Sequence, residues 1–333
     1  IICSILKIKT FTHLQSGYLG YGVWLIGDIL ELMNQTNDIL SDVQFMESNQ
    51  SDGHLTRIRT GLPEVYWRRL YRGTPPSKSQ WAQVKEATGM LEARMELDVK
   101  ELELYGDKAR AFRLSEGKAF AEAMRQKVAT TLFYGDSNVN PDEFNGLSMR
   151  YPSLSSPNVI DAGGTGNNLT SMWFINWGSN TVHGLYPKGS TAGMKSRDLG
   201  ESTTTDNDGC KFQVMTDLYN WDCGLAVRDW RAVVRIANID TSKLLLPSTD
   251  KSYVNLQALT IKAKNKMPVN MRNGAVWYCN DEVMTALEMQ SIDKGNVHLN
   301  YGEYFNAKAV PVLHGRPIRQ CDVISNHETA LVA

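Results

Sequence analysis

Apolar and polar positions recur along this chain with two different periods, and each change of period marks an element. Between Arg110 and Gly135 the apolar positions Phe120, Ala123, Met124, Val128, Thr131 and Leu132 follow helical spacing, while Lys118, Glu122, Arg125 and Gln126 occupy the other side. The pattern predicts one long helix, with Ser115 able to cap its start and Gly135 its end. No catalytic group lies on it, so the predicted role is that of a supporting beam. Upstream, Ile26, Ile29, Leu30, Met33, Ile39, Leu40 and Val43 predict one or two amphipathic helices over Ile26–Glu47, broken near Asn37-Asp38.

A strand period takes over at His54–Thr60, and a second extended run resumes near Gln80, with Pro63, Gly73, Pro75 and Pro76 between them. This predicts a long two-stranded excursion. Beyond the helix, Asp136–Pro157 is rich in turn formers, and Val159–Ile239 predicts short strands at Met172–Trp177, Thr181–Tyr186 and Trp230–Ile236. In the last, Trp230, Ala232, Val234 and Ile236 share one face, and Arg231, Val233 and Arg235 the other. Tyr253–Lys266 predicts a helix. Ala275–Cys279 predicts a strand leading into Asn280 as N-cap of a helix through Met289, and Ala307–Leu313 and Pro317–Val323 predict a strand pair turned by His314-Gly315-Arg316.

Composition narrows the classes without choosing among them. The 333 residues are 42% apolar and 21% charged, which suits an ordinary folded chain with a large core. A formal net charge of -1 supplies no basic field of the kind that drives sequence-reading DNA proteins onto phosphate. The stretch Tyr18–Leu30 contains Asp28 and is too short to cross a bilayer, so the expectation is a soluble protein made in a reducing cytoplasm, with no membrane partner. Cys3, Cys210, Cys223, Cys279 and Cys321 are scattered and odd in number, which predicts neither a disulfide framework nor a zinc site.

Charge is uneven in one place. Across the predicted excursion Arg57, Arg59, Arg68, Arg69, Arg72, Lys78 and Lys85 face a single carboxylate, Glu64, before Glu86, and Trp67 and Trp81 stand among them. Two readings remain open: a solvated hairpin kept soluble by arginine, or a contact surface for an acidic neighbouring subunit or for phosphate. Other candidate chemistry has simpler explanations. Gly163-Gly164-Thr165-Gly166 would cradle phosphate only between a strand and a helix, but a strand-like run follows it, so a surface turn is expected. Asp281 and Glu282 suit a helix N-terminus, and His13, His54, His183, His298, His314 and His327 show no metal-ligand spacing. No cofactor is predicted. Trp173, Trp177, Trp221 and Trp230 leave open a β-rich carbohydrate-binding protein, with core packing the simpler expectation.

One set of ordered runs goes further. MNQTNDIL at Met33–Leu40, IRTGLP at Ile58–Pro63, PSKS at Pro76–Ser79, FRLSE at Phe112–Glu116, LFYGD at Leu132–Asp136, NVIDAGGTG at Asn158–Gly166, NTVHGLYPKGS at Asn180–Ser190, VRDWRAVVRIANID at Val227–Asp240 and PIRQCD at Pro317–Asp322 stand in one order. Over about Asp28–Glu328 the chain resembles the major capsid proteins of tailed bacteriophages with the Hong Kong 97 fold, particularly those of short-tailed phages. The resemblance implies an α+β fold and a structural, non-enzymatic protein. It would assemble in the host cytoplasm into the pentamers and hexamers of an icosahedral virion shell around double-stranded DNA.

The same resemblance divides the chain into an N-terminal arm (1–53), an extended loop (54–98), a peripheral domain with a spine helix (99–150), an axial domain (151–297) and C-terminal strands (298–333). It makes Arg57, Arg59, Trp67, Arg68, Arg69, Arg72, Lys78 and Trp81 candidates for contact with an adjacent subunit. Portal, scaffolding or decoration proteins and non-specifically held DNA are the further partners it implies. Some relatives join subunits through a loop lysine; Lys78 and Lys85 lie in that loop, but no partner for them is matched by motif.

Overall fold

The structure is a computed structural model that describes residues 37–50, 53–246, 250, 252–293, 299–303 and 309–332. Helix α1 (Ile39–Asp42) and strand β1 (Phe45–Glu47) lead into β2 (Gly53–Gly61) and β3 (Gln80–Asp98). Helix α2 (Val99–Tyr105), α3 (Ala109–Tyr134) and α4 (Leu147–Arg150) follow, and then β4 (Val159–Asp161), β5 (Leu169–Asn176), β6 (Val182–Tyr186), β7 (Lys195–Thr205), β8 (Lys211–Val227) and β9 (Val233–Asp240). The chain continues through α5 (Leu256–Lys266), β10 (Ala275–Cys279), α6 (Asp281–Asp293), β11 (Leu299–Glu303), β12 (Ala309–Leu313) and β13 (Arg316–Gln320). The strands form two sheets. One runs β1-β6-β8-β3-β2 with β7 also on β8, and the other runs β11-β12-β13-β10-β5-β9-β4.

Both faces of the second sheet are covered, which is why β5 and β9 are buried along their whole length. Trp173, Ile175, Val233 and Tyr278 face the layer that holds Val128, Leu132 and Phe133 of α3. Met172, Phe174, Val234, Ile236 and Trp277 face α5 and α6, through Leu256, Leu259, Val283 and Leu287. Each large side chain sealed in this way contributes roughly 1.5–3 kcal/mol relative to exposure.

Helix α3 ties the two sheets together. Its first half lies on β8, where Phe120 stacks on Tyr219 with centroids 6.0 Å apart and Arg113 pairs with Asp217 at 2.5 Å and Asp198 at 2.9 Å. Gly117 permits this approach, because a Cβ there would stand 2.6 Å from the Tyr219 hydroxyl. Its last turn enters the other core, where Phe133 lies 6.0 Å from Trp173.

The helix ends in a close crossing of backbone. A Cβ on Gly135 would meet the Phe144 carbonyl at 2.3 Å, and one on Gly146 would meet the Thr131 carbonyl at 2.5 Å. The Gly146 amide donates to the Gly135 carbonyl at 2.8 Å across that gap. Beside it the tail returns: Tyr134 donates its hydroxyl to Glu328 at 2.5 Å, Ser171 donates to the same carboxylate, and Arg235 donates to it at 2.9 Å. Arg235 also reaches the Tyr151 carbonyl at 3.0 Å and lies over the Trp173 ring. Burial pushes the Tyr134 and Tyr151 hydroxyls far above the usual phenol range, so both stay neutral donors.

Several expectations are corrected. The long helix runs over Ala109–Tyr134, within a residue of the predicted span, but Ser115 lies inside it and does not cap its start; the side-chain cap nearby belongs to α2, where Asp98 accepts from the Lys100 amide at 2.8 Å. Gly135 is needed for clearance, not for a left-handed cap, since its φ is -54°. Ala123 is exposed, and Ala129 and Phe133 take the inward positions. Of Ile26–Glu47, the described part holds only the four residues of α1 and then a strand, and Ile26–Thr36 and Tyr18–Leu30 lie outside the described residues.

Trp230–Ala232 forms a 3-10 turn that Asp229 caps, so β9 starts only at Val233, and both of its faces are buried, Arg235 included. A sugar-stacking face does not form. Trp173, Trp177 and Trp221 are buried in the core, and Trp230 alone of the four is half exposed. The second predicted strand of the final pair is Arg316–Gln320, joined to β12 by His314 and Gly315 at φ 52° and 77°, as a tight hairpin turn requires. Asn280 caps α6 as expected, accepting from the Val283 amide at 3.0 Å.

Candidate inter-subunit interface

Strand β3 is 19 residues long, about 60 Å at the usual rise, and its two ends have different company. From Thr88 to Asp98 it pairs with β8. From Ala87 back to Gln80 it pairs only with β2, so the two strands leave the sheet as a ribbon where pairing with β8 ends at Gly224. The ribbon is alternately polar, and its 18-residue tip, 62–79, holds no helix or strand. A lone two-stranded ribbon is marginal in water, so what fixes this one lies at its base or outside the subunit.

The base is firmly held. Glu86, 7% exposed, receives a fork from Arg150 at 2.7 and 2.6 Å, and the same guanidinium reaches the Leu225 carbonyl at 3.1 Å. The Asn49 side chain brackets Leu55 through two bonds of 2.8 Å. His54 lies edge-on to the buried His183 with centroids 5.9 Å apart, and Arg228 sits 2.8 Å from its Nε2. Burial first, and then the Arg228 charge, lowers both imidazoles below their ordinary range, His183 to about 4. Both rings are therefore neutral near pH 7.

At the tip the balance reverses. Glu64 ties its two limbs together, taking the Ser77 hydroxyl on its carbonyl at 2.7 Å and the Tyr66 hydroxyl on its carboxylate. Arg72 donates its amide to the Arg69 carbonyl at 3.2 Å, closing a turn in which Tyr71 is left-handed at φ 62°. Trp67 and Tyr71 are fully exposed, and Leu62, Val65 and Leu70 are more than three-quarters exposed. So many open apolar side chains within one loop make the tip the candidate contact surface of the subunit.

The eight residues singled out from the sequence fall on this ribbon. Arg57 and Arg59 are on β2 and Trp81 is at the start of β3; Arg59 lies over the Trp81 ring at 4.4 Å, opposite it in the ladder. Trp67, Arg68, Arg69, Arg72 and Lys78 are exposed on the tip. The exposed apolar residues Leu62, Val65, Leu70 and Tyr71 are the addition, and their signal was apolar character inside a segment bounded by Gly61 and Pro75. Beside β2 a groove of about 780 Å³ runs between Arg57 and Arg59 and the turn Arg228–Arg231.

The remaining candidates behave as structural parts. Among the described residues no group of His, Cys, Asp and Glu could hold a metal ion, and Cys210, Cys223, Cys279 and Cys321 are free thiols. Gly163–Gly166 forms a turn between β4 and β5 with no helix behind it. No described helix is long and apolar enough to cross a membrane.

Comparison with known proteins settles the family. A family model described as major capsid protein GP7 matches residues 25–332. A chain from the structure of bacteriophage epsilon15 is 31% identical, with 92% of each chain covered and a TM-score of 0.70. A chain of the bacteriophage JBD30 capsid aligns with 88% of this chain and 92% of its own, at 11% identity and a TM-score of 0.47. No curated protein is significantly similar. With its mixed helix and sheet architecture, its free ribbon and this match over nearly its whole length, the chain belongs to the GP7 family of major capsid proteins, the shell-forming proteins of phage virions.

Proposed function

We propose that this chain builds the icosahedral shell of a tailed phage from pentamers and hexamers of itself, around double-stranded DNA that it contacts weakly and without sequence preference. Its role is structural rather than catalytic. The observation that carries the reading is the ribbon β2–β3, which leaves the sheet at Ala87 and ends in an apolar, cationic tip. Such a tip gains stability by lying on an adjacent subunit, through Arg57, Arg59, Trp67, Arg68, Arg69, Arg72, Lys78 and Trp81 together with Leu62, Val65, Leu70 and Tyr71. In the assembled shell the interface per subunit falls in the obligate range of about 2,000–5,000 Å².

Within the subunit, we assign the long helix α3 and the first sheet's inner strands to a peripheral domain and the second sheet, with α5 and α6, to an axial domain around capsomer centres. Strand pairing supports cutting the chain by sheets rather than by consecutive segments, since β6 and β8 join β3 while β12 and β13 join β10. Assembly in the host cytoplasm and association with portal, scaffolding or decoration proteins complete the proposal. Negative-stain microscopy of the purified protein, alone and co-expressed with its phage neighbours, is the test. Closed shells of uniform diameter are expected; monomers under every condition would sink it.

A further inference from the structure

Strand β2 is the outer strand of its sheet, and its open edge has a definite phase. Leu55 donates its amide to the Asn49 side chain and takes the Asn49 side-chain amide on its carbonyl, and the Gly53 carbonyl accepts from the Gln50 amide. The odd residues of β2 therefore turn their backbone groups away from β3, and in an antiparallel ladder that alternation continues along the strand. Arg57 and Arg59 point their N–H and C=O outward in the same way, and nothing among the described residues pairs with them. Asn49 occupies one rung of the edge, and the next two are open.

These open rungs lie in one wall of the groove of about 780 Å³, a wall that runs from Leu55 to Leu62, about 25 Å at the usual rise. The facing wall is the turn Arg228–Arg231, which is fixed from behind. The Trp230 carbonyl accepts from Tyr151 at 2.8 Å and from Asn158 at 3.0 Å, and Arg228 donates to the Ser179 carbonyl at 2.9 Å. An open strand edge beside a fixed wall is the geometry of strand addition, and about seven extended residues span its length.

Charge defines which strand fits. Four arginines line the groove against one carboxylate, Asp229, and Arg231 already holds both of its oxygens, at 3.0 and 2.8 Å. Arg57 and Arg59 are exposed, two positions apart on one face, and neither has an ion-pair partner among the described residues. Their match is a pair of carboxylates two residues apart on an extended segment. This chain does not supply that pattern in a form free to pair. Its carboxylates two apart are Glu96 with Asp98, Glu101 with Glu103 and Asp206 with Asp208, which β3, α2 and the turn between β7 and β8 hold, and residues 1–27 carry Lys7 and Lys9 but no carboxylate. Phosphate only accepts hydrogen bonds, whereas this edge presents carbonyls as well as amides, so the backbone match favours a peptide over nucleic acid.

We infer that the groove binds an extended acidic segment of a different polypeptide, which adds to β2 and sets alternate carboxylates on Arg57 and Arg59. The groove is complete on the lone subunit, so the inference goes beyond shell formation and does not require it. The adjacent copy proposed above to meet Arg57 and Arg59 would have to displace such a segment.

The probe is a fluorescein-labelled peptide of about ten residues alternating glutamate and threonine, titrated with free subunits and read by anisotropy. Saturable binding is expected, and Arg57→Glu with Arg59→Glu lowers the affinity by about tenfold or more while circular dichroism shows an unchanged fold. Two further peptides keep every charge and carry N-methyl groups on alternate residues, one on the glutamates and one on the threonines. Only one edge of the peptide meets β2, so one of these two, and not the other, loses about tenfold or more in affinity. No binding up to about 1 mM, or equal binding by the arginine variant, overturns the site. Equal binding of the two N-methylated peptides overturns strand addition, and an oligothymidylate of the same charge that binds more tightly than the peptide overturns the peptide in favour of phosphate. Should the arginine variant fail to fold, the N-methylated pair decides alone. An unaltered chain that forms no shells overturns the shell reading and leaves this one standing.

Discussion

The ribbon tip and the junction at the end of α3 are built from the same residue types and use them in opposite ways. At the junction, Arg235 and Glu328 are paired out of water, with Tyr134, Ser171 and the Tyr151 carbonyl filling the remaining hydrogen-bond positions. At the tip, Arg68, Arg69 and Arg72 are exposed, and Trp67 and Tyr71 are bare. A buried pair is costly to break because removing one member strands the other, whereas an exposed charge contributes little to the fold of its own subunit. On the proposed reading, the difference separates a subunit that stays folded alone from a surface whose value appears only when a second copy arrives.

Substitution at the tip gives the largest effect that the comparison predicts. Arg68→Glu with Arg69→Glu lowers shell yield by about 100-fold or more, while the subunit's urea midpoint stays within the roughly 0.5 kcal/mol of a surface change. Particle counts by microscopy and urea titration of the same preparation check both halves. Normal shells would show that the ribbon is not the contact.

At the junction the pattern inverts. Glu328→Ala leaves Arg235 and Tyr134 buried without their acceptor, and the expected loss is about 3–5 kcal/mol in urea unfolding. Gly135→Ala places a methyl group against the Phe144 carbonyl, with an expected loss of about 2–3 kcal/mol on the same scale. A loss under 0.5 kcal/mol for either would mean that the junction is looser than described.

A pH effect at the ribbon's base is smaller and has a fixed sign. His183 binds its proton less readily folded than unfolded, because burial and Arg228 oppose the charge. Its contribution is therefore complete above about pH 6.5 and is lost as pH falls toward about 4. Between pH 7 and pH 5 the unaltered chain should lose about 2 kcal/mol more than His183→Leu, read from paired urea curves. Equal losses would remove His183 as the source.

What the sequence made legible was local in origin. Alternation over His54–Thr60, prolines after Gly61 and resumed alternation at Gln80 are short-range signals, and they located the ribbon to within a residue or two. Asn280 and the strand before it were equally plain, since a cap needs only its own helix. Three features were not legible. That Arg235 is buried and paired could not be read from its strand, because Glu328 lies 93 positions away. The pair β7–β8 escaped notice because Lys195–Thr205 is polar on both faces and has no apolar period to read. Gly135 resembled a helix cap, and only its crossing with Gly146 reveals that space is what it provides. At the candidate site the arginines stood out by charge, while Leu62, Val65, Leu70 and Tyr71 gained meaning only once nothing in the subunit covered them.

Hydrogen exchange over residues 62–79, measured on the free subunit and on assembled shells, tests the central claim most directly. The tip carries few internal backbone hydrogen bonds and should exchange quickly in the free subunit, and a neighbouring copy should slow it by about 100-fold or more, with the α3 junction protected in both states. Equal, rapid exchange of the tip in subunits and shells would contradict the assignment of the ribbon as the contact between copies.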